Sequence, residues 1–469
     1  MIDNVSRLAH IVWSNLRILG YSSPHLSVIR EMINMVYLAS LRTEEARFVR
    51  GSLCFANPCQ PDLDPPIVRR ADYPGYTAFG KLIPLNVESL VKLSRAVDKW
   101  SGSIAVYCTP KADLYAWGIV DQMIHVNVRM NREGTHGFAN PGIFNIEMDG
   151  VGALSVYSDR LFFGALRQDQ LITREHDALN SEMVWNRIAP FLLPVAHKIA
   201  KVAGDPDKKP DKILKVLFSG WTEIIARLCI GLRRVNSGGA FLISPTPVSD
   251  LLDVTHSLSY RRLGDSALLS VLDNTHYHAN RHELIHSGSD IPRELCYRCS
   301  SSDVDREDRE RELTGAARIV TSLAAVDGLV MLDPFLNVIA FGVKIKSDTK
   351  IGRVYDGADF VRRGIQGKRI EPSLFGTRHA SMLRYCLADQ DALGVVVSQD
   401  GYVRIIMREG KHLILWDNVK LLSYSRGVRA YARELRRGKK YRAKTLTRRK
   451  PSLGYSSMPK TVSELMRGN

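Results

Sequence analysis

Three short stretches of the sequence gather side chains that could do chemistry. The first is Leu374-Phe375-Gly376-Thr377-Arg378-His379-Ala380, a glycine turn followed by a hydroxyl, a guanidinium and an imidazole. It runs straight into Ser381-Met382-Leu383-Arg384-Tyr385-Cys386-Leu387-Ala388, which reads as helix. A helix start presents free backbone N–H groups and the positive end of the helix dipole, both of which favour anions. Gly376 lets a ligand approach the backbone, and Arg378 adds a planar fork of donors that suits phosphate oxygens. The segment therefore reads either as an oxyanion cradle or as a helix capped by Thr377 with two solvated neighbours.

The second stretch is His282-Glu283-Leu284-Ile285-His286. On a helix, this spacing puts two imidazoles on one face, where they could bind zinc with the glutamate as base. His276, His278, Cys296 and Cys299 lie nearby. The extended metalloprotease pattern fails because no third histidine follows at the required place, and the stretch is polar for a buried catalytic helix. A structural zinc site using Cys296 and Cys299, or a polar surface segment, are the readings left. The third stretch, Gly75-Tyr76-Thr77-Ala78-Phe79-Gly80-Lys81-Leu82, has the glycine and lysine spacing of a phosphate-binding P-loop. Leu82 replaces the hydroxyl that would reach Mg2+, and Pro84 blocks an ordinary helix start, so the stretch reads as a loop.

The cradle needs partners, and two Asp-Gly steps precede it. Asp327-Gly328-Leu329 follows a helical run over 305–325 and opens an apolar strand that turns at Asp333-Pro334 and returns through Val338 to Val343. Asp356-Gly357-Ala358 has no apolar strand or hairpin after it and sits in a polar insertion, 346–371. The first context is the one that would hold a carboxylate at a strand start. Beyond the cradle, 394–398 and 403–407 read as two strands joined by Gln399-Asp400-Gly401, a strong hairpin signal.

Further upstream, 240–244 reads as a strand, followed by an irregular stretch up to residue 304. A long helix is expected over 213–234. Gly204 to Asp211, rich in Pro, Asp and Lys, reads as a linker. The first forty residues carry two amphipathic helices, separated at Tyr21-Ser22-Ser23-Pro24. Strand-like runs follow around 47–55, 103–107, 114–120, 142–148, 153–157 and 160–164, with a Pro- and Asp-rich loop at 60–76 and a helix at 87–100. Four regions result: an N-terminal α/β domain over 1–203, a linker and connector helix over 204–237, a second α/β domain over 238–422, and a basic tail over 423–469. The fold class is α/β, with two mixed-sheet domains joined by a helical connector.

Composition sets the outer bounds. A 45% hydrophobic content and 24% charge suit globular domains. No apolar run approaches the roughly eighteen residues that a membrane span needs. The start, Met1-Ile2-Asp3-Asn4-Val5, lacks the basic and apolar regions of a secretory leader. Seven cysteines are too few and too scattered for a disulfide framework. A cytoplasmic location is the expectation. The net charge of +16 is concentrated near the end: from Arg426 to Lys450, twelve lysines and arginines face one acid, Glu434. Such a tail reads either as a solvated basic helix with a loose end or as a segment drawn to nucleic acid or an acidic surface.

The order helix, Asp327-Gly328-Leu329, hairpin, Gly376-Thr377-Arg378-His379, helix and Val395-Val396-Val397-Ser398-Gln399 resembles the diadenylate cyclase (DAC) domain family over roughly residues 238 to 420. That family's signatures are an Asp-Gly-Ala at a strand start and a Gly-Thr-Arg-His-Arg before a helix. The N-terminal half more loosely resembles the probable sensor domain DACNV, found ahead of such domains. The resemblance implies a nucleotidyltransferase that condenses two ATP molecules into cyclic di-AMP and pyrophosphate across a face-to-face homodimer. It implies Mg2+ or Mn2+ at Asp327, and catalytic roles for Asp327, Arg378 and His379. It implies a nucleotide pocket that includes Gly328, Leu329, Ile345, Gly376, Thr377, Arg378, His379 and Ser398. Two positions depart from the family pattern. Ala380 stands where the family has a second arginine, and Leu329 where it has alanine, so a non-catalytic nucleotide-binding sensor or regulatory module is the alternative. A zinc-binding protein built on His282 and His286 is a remoter one.

Overall fold

The structure, a computed structural model, describes residues 2–421 except 22, 45–46, 59–74, 98–101, 122–142, 159–160, 168–169, 204–208, 236, 287–291 and 400. The basic tail, most of the expected 60–76 loop and most of the expected linker at 204–211 therefore lie outside the described residues. The chain divides into two compact units, one within Met1–Arg174 and the other Glu175–Leu421. Both are mixed-sheet α/β structures. No helix among the described residues is long and apolar enough to cross a membrane.

The first unit opens with α1 (Ile2–Leu19) and α2 (Leu26–Ser40), the two amphipathic helices read from the sequence. A two-stranded ribbon follows, β1 (Thr43–Glu44) and β2 (Arg47–Phe48). The main sheet comprises β3 (Gly51–Phe55), β4 (Gly75–Pro84), β5 (Gly102–Cys108), β6 (Leu114–Asp121), β7 (Phe144–Gly150), β8 (Ala153–Ser158), β9 (Leu161–Arg167) and β10 (Gln170–Ile172), with α3 (Val87–Ser94) between β4 and β5. Its order is β10-β9-β8-β7-β3-β5-β6-β4, and only β3 and β5 run parallel. One face packs on Leu8, Val12, Leu16, Ile29, Met32 and Ile33 of the first two helices. The other carries a smaller cluster around Trp117, whose indole N–H donates to Ala56 O. The stretch with P-loop spacing is β4, an edge strand paired with β6, and not a loop. Its residues are half-buried or exposed in no regular order and none is buried, so no apolar run announced it.

The second unit begins with α4 (Glu182–Ala203) and α5 (Pro210–Arg234). Both helices pack within this unit because their aromatic faces meet: Trp185 lies edge-on to Phe218 at 4.8 Å, and the Trp221 indole donates to Pro334 O. Next come β11 (Gly239–Ile243), β12 (Leu252–Tyr260), and the long helices α6 (Arg262–His286) and α7 (Arg293–Ala324). The hairpin β13 (Leu329–Leu332) and β14 (Val338–Ile345) leads to the insertion. There β15 (Val354–Asp356), α8 (Gly357–Arg363) and β16 (Arg369–Ile370) extend the sheet at one margin. Finally α9 (Thr377–Ala388) precedes β17 (Leu393–Val397), β18 (Val403–Glu409) and β19 (His412–Trp416).

The nine strands are ordered β12-β14-β13-β11-β17-β18-β19-β15-β16. Every residue of β11, β13 and β17 is buried, as in central strands covered on both faces. Alternate residues Leu242, Leu329, Met331, Val396 and Ile406 share a core with Met382, Leu383, Tyr385 and Cys386 of α9. The opposite face lies under α5 and α7, where Leu232 and the carbonyl of Ala324 crowd Gly239 and Thr321 crowds Gly231. The stretch read as irregular contains β12 and all of α6. Strand β12 is an edge strand with mostly exposed residues, and α6 is polar around much of its surface, so neither shows a clear apolar period.

Candidate functional site

Strand register collects the expected residues at one side of the second sheet. Gly239, at the start of β11, pairs with Val397 at the end of β17, and Val397 pairs with Val403 at the start of β18. On the other flank, Phe241 pairs with Val330, which puts the start of β13 beside the start of β11. Leu329 pairs with Val343 of β14, and Ile345 pairs with Leu252. Asp327, Gly328, Ile345 and Ser398, distant in sequence, thus sit at neighbouring strand ends.

Helix α9 brings the cradle to the same side. Its N-cap is Gly376, with extended backbone (φ −65°, ψ 170°) and no side-chain cap. Thr377 is therefore the first helical residue, so the alternative reading of it as the cap does not hold. The N–H groups of His379 and Ala380 bond to Gly376 O, so those of Thr377 and Arg378 remain at the uncapped start. Nothing lies within 4 Å of where a side chain at Gly376 would begin, so the approach is open. Arg378 extends to the start of β11: its Nη1 stands 2.5 Å from the point where a Cβ at Gly238 would be, beside Gln399. A side chain at 238 would displace this guanidinium from its present place. Ser398 shapes the turn below, accepting from Tyr402 N–H at 3.0 Å, while Gly401 N–H donates to Ser398 O.

His379 is buried, 7% exposed, and its ring lies tilted over Phe375. Its Nε2 is 2.9 Å from Nη1 of Arg404 on β18. A guanidinium only donates, so His379 Nε2 accepts and its proton sits on Nδ1. Burial, then the charges of Arg404 and Arg378, hold its pKa down to about 4. The imidazole is neutral near pH 7 with Nε2 occupied, which suits holding the Gly376-Thr377-Arg378 turn in place. Arg404 is itself fixed by Asp417, 2.9 Å from its Nε, and lies over the rings of Phe375 and Tyr402. At its far end, α9 is tied down by buried Asp389, whose carboxylate accepts from the Ser244 hydroxyl beside β11 and from Asp391 N–H.

Asp327 is exposed and makes one ion pair, to exposed Lys344 at 3.2 Å. Such a pair is weak and exchangeable. Mg2+ is commonly held by one or two carboxylates with substrate phosphates and water, so an exposed carboxylate in a weak ion pair beside an uncapped helix start fits Mg2+ or Mn2+. Gly328 has φ +110°, and a Cβ there would strike the backbone of Gly342. Its smallness serves the packing of β13 on β14. Leu329 is buried in the core beneath α9, so its extra bulk is absorbed by packing. Ile345 packs at the margin of the same core.

Asp356 ends β15, at the same side of the sheet but five strand steps from β13, about 24 Å at ordinary strand spacing. Its carboxylate caps α8, accepting from Asp359 N–H at 3.1 Å. His282 and His286 face each other near the end of α6, ring centroids 4.3 Å apart. Among the described residues, no group of three His, Cys, Asp or Glu side chains could hold a metal ion. Glu283 pairs with Arg298, and the Cys299 thiol, buried, points at Asn280 O. Sequence reasoning missed Gly238 and Arg404. The available signal for Arg404 was a charge inside an otherwise apolar strand, Val403 to Met407.

Compared with known proteins, residues 21–121 match the family model described as probable sensor domain DACNV. That range runs from the approach to α2 through β6 of the first unit. No curated protein and no solved structure matches the chain.

Proposed function

We propose that the second unit is a nucleotide-binding module of the diadenylate cyclase kind, which condenses two ATP molecules into cyclic di-AMP under control of the first unit as sensor. The observation that carries this reading is the convergence of Asp327 and Arg378, 51 positions apart in sequence, at the starts of adjacent strands beside an uncapped helix. The DACNV match supports the same reading, since such sensor domains accompany diadenylate cyclases. In the reaction, the 3′-oxygen of one ATP bonds to the α-phosphorus of the other, the bond to the β-phosphate breaks, and pyrophosphate leaves. Two such events close the ring, which calls for two modules face to face.

In this scheme Arg378 and the N–H groups of Thr377 and Arg378 bind phosphate oxygens and stabilise charge that builds as pyrophosphate departs. His379, kept neutral by its burial and by Arg404, orients that turn and has no free Nε2 with which to take the hydroxyl proton. Asp327 would hold Mg2+ or Mn2+, which neutralises phosphate charge. The turn at Ser398 and the side chain of Ile345 line the nucleotide's approach. Ala380 favours a second reading, nucleotide binding without turnover, because the family's second arginine is absent. Incubating the full chain with ATP and either metal separates the two: cyclic di-AMP by mass spectrometry supports a cyclase. Bound ATP without product supports the regulatory module, and no ATP binding sinks both.

A further inference from the structure

We propose that the second unit carries a separate binding site for a small amphipathic amine. Its apolar body, an aryl ring or a short alkyl chain, sits between α4, α5 and α6, and its ammonium head is held by Asp265 and Asn337. The site is a cavity of about 210 Å³ closed on one side by the turn between β13 and β14. It lies at the opposite end of β13 from Asp327 and shares no residue with the nucleotide site, so it does not rest on the function proposed above.

The walls are Leu192 and Val195 of α4, Leu217 and Trp221 of α5, and Leu268 and Val271 of α6. Two glycines hold α6 in place at this cavity. Val271 Cγ2 lies 2.7 Å from where a Cβ at Gly220 would stand, and a side chain at Gly264 would strike Phe335 O. The turn is equally fixed. The Asp333 carboxylate accepts from the N–H groups of Phe335 and Asn337 and from the Asn337 side-chain amide, and the Trp221 indole donates to Pro334 O. These bonds hold buried Leu336 at φ +68°, a strained backbone that persists only where its surroundings over-determine it. The cavity is therefore preformed, as ligand pockets usually are. Phe335 is left 42% exposed at its rim, an aromatic face that a ligand would cover. An apolar cavity of about 150 Å³ takes up benzene, so this one has room for a ring and a short chain.

The polar groups choose the ligand. Asp265 is the one charged side chain among the described lining residues, and it is exposed at the mouth. Asn337 commits its amide nitrogen to Asp333, which turns its oxygen the other way: Oδ1 stands 2.8 Å from where a Cβ at Gly264 would be, next to Asp265 in the chain. A carboxylate and an amide oxygen accept and do not donate. Above apolar walls, they select a cation with N–H donors over a neutral or anionic molecule of the same shape.

The bland account is that Asp265 only complements the positive end of the α6 dipole and that the cavity is a packing gap. The test titrates the full chain by calorimetry with phenethylamine, phenethyl alcohol and phenylacetate. The amine should bind wild type roughly tenfold more tightly than the alcohol, and phenylacetate more weakly than either. Asp265→Asn should weaken the amine roughly tenfold, one charged hydrogen bond's worth, and change the alcohol less than about twofold. Ala267→Leu puts bulk into the cavity from α6 and should abolish binding of amine and alcohol alike. Leu192→Phe does the same from α4 and serves as the reporter if Ala267→Leu folds poorly. Amine and alcohol bound equally well, an amine affinity unmoved by Asp265→Asn, or binding that survives the filling variants would overturn the proposal. So would a wild-type chain that binds no phenethylamine at millimolar concentration.

Discussion

Asp327-Gly328 and Asp356-Gly357 end on the same side of one sheet, each at a strand end, each an aspartate followed by a glycine. Their glycines have the same job. Gly328 lies against the backbone of Gly342, and a side chain at Gly357 would run into the buried indole of Trp416. Their carboxylates differ. Asp356 is spent inside the fold as the cap of α8, whereas Asp327 points to solvent with only an exchangeable lysine beside it, one strand from the Arg378 guanidinium. A motif's glycine can be explained by packing in both places, so it does not identify a site. What sets the two places apart is the exposed carboxylate of Asp327, and the proposed site rests on it.

The largest expected effect tests the shared part of this comparison. Gly328→Ala and Gly357→Leu should each destabilise the second unit by about 3 kcal/mol, the first through a left-handed backbone and a collision with β14, the second through overpacking. Urea denaturation monitored by hydrogen exchange of β17 and β18 reads this directly. A stable Gly328→Ala chain that had lost only ATP affinity would return that glycine to the ligand. The next effect tests the difference. Asp327→Asn should reduce cyclic di-AMP formation by roughly 100-fold with the unfolding midpoint unchanged, since an exposed ion pair contributes little to stability. Asp356→Asn should leave turnover intact, because asparagine caps a helix as well as aspartate does. The reverse pattern would move the site to β15.

The cradle between the two carboxylates has a pH signature. His379 titrates near 4 in the fold against 6.5 when unfolded, so between those values the unfolded chain binds the extra proton. Stability therefore falls as pH drops from 6.5 towards 4, by about 1.4 kcal/mol per unit, or about 2 kcal/mol by pH 5. His379→Gln keeps an acceptor for Arg404 and does not titrate. Its stability profile should be flatter by that amount over this window, and a profile as steep as wild type would show that the imidazole is not the group responsible.

Much of this was legible in the sequence, for reasons tied to burial. Strands β11, β13 and β17 are covered on both faces, so their apolar runs stood out, and the Asp400-Gly401 turn announced its hairpin. The amphipathic α1 and α2 were equally plain. Strand β12 and helix α6 were not, because an exposed edge strand and a largely polar helix bury too little to impose a period. Thr377 looked like a cap because its hydroxyl suits one, yet the chain uses Gly376 and leaves the helix start open. The residues that complete the site, Gly238 and Arg404, come from two different elements. No spacing rule joins them, and only strand register brings them together.

The smallest expected effect separates the two aspartates by stability alone, without any ligand. Removing the Asp356 carboxylate with Asp356→Ala takes away the acceptor for Asp359 N–H at the start of α8, a loss of about 1 kcal/mol for an N-cap. Asp359 depends on that geometry, since its own carboxylate accepts from Lys368 N–H and faces Arg362 and Arg363. The loss should therefore appear as faster hydrogen exchange across 357–370 before the rest of the sheet opens. Asp327→Ala removes only a contact between two exposed chains and should leave exchange in β13 and β14 as it was. Equal protection losses at both positions would mean that Asp327 also serves the fold, and its availability to a metal and a nucleotide would lose its structural basis.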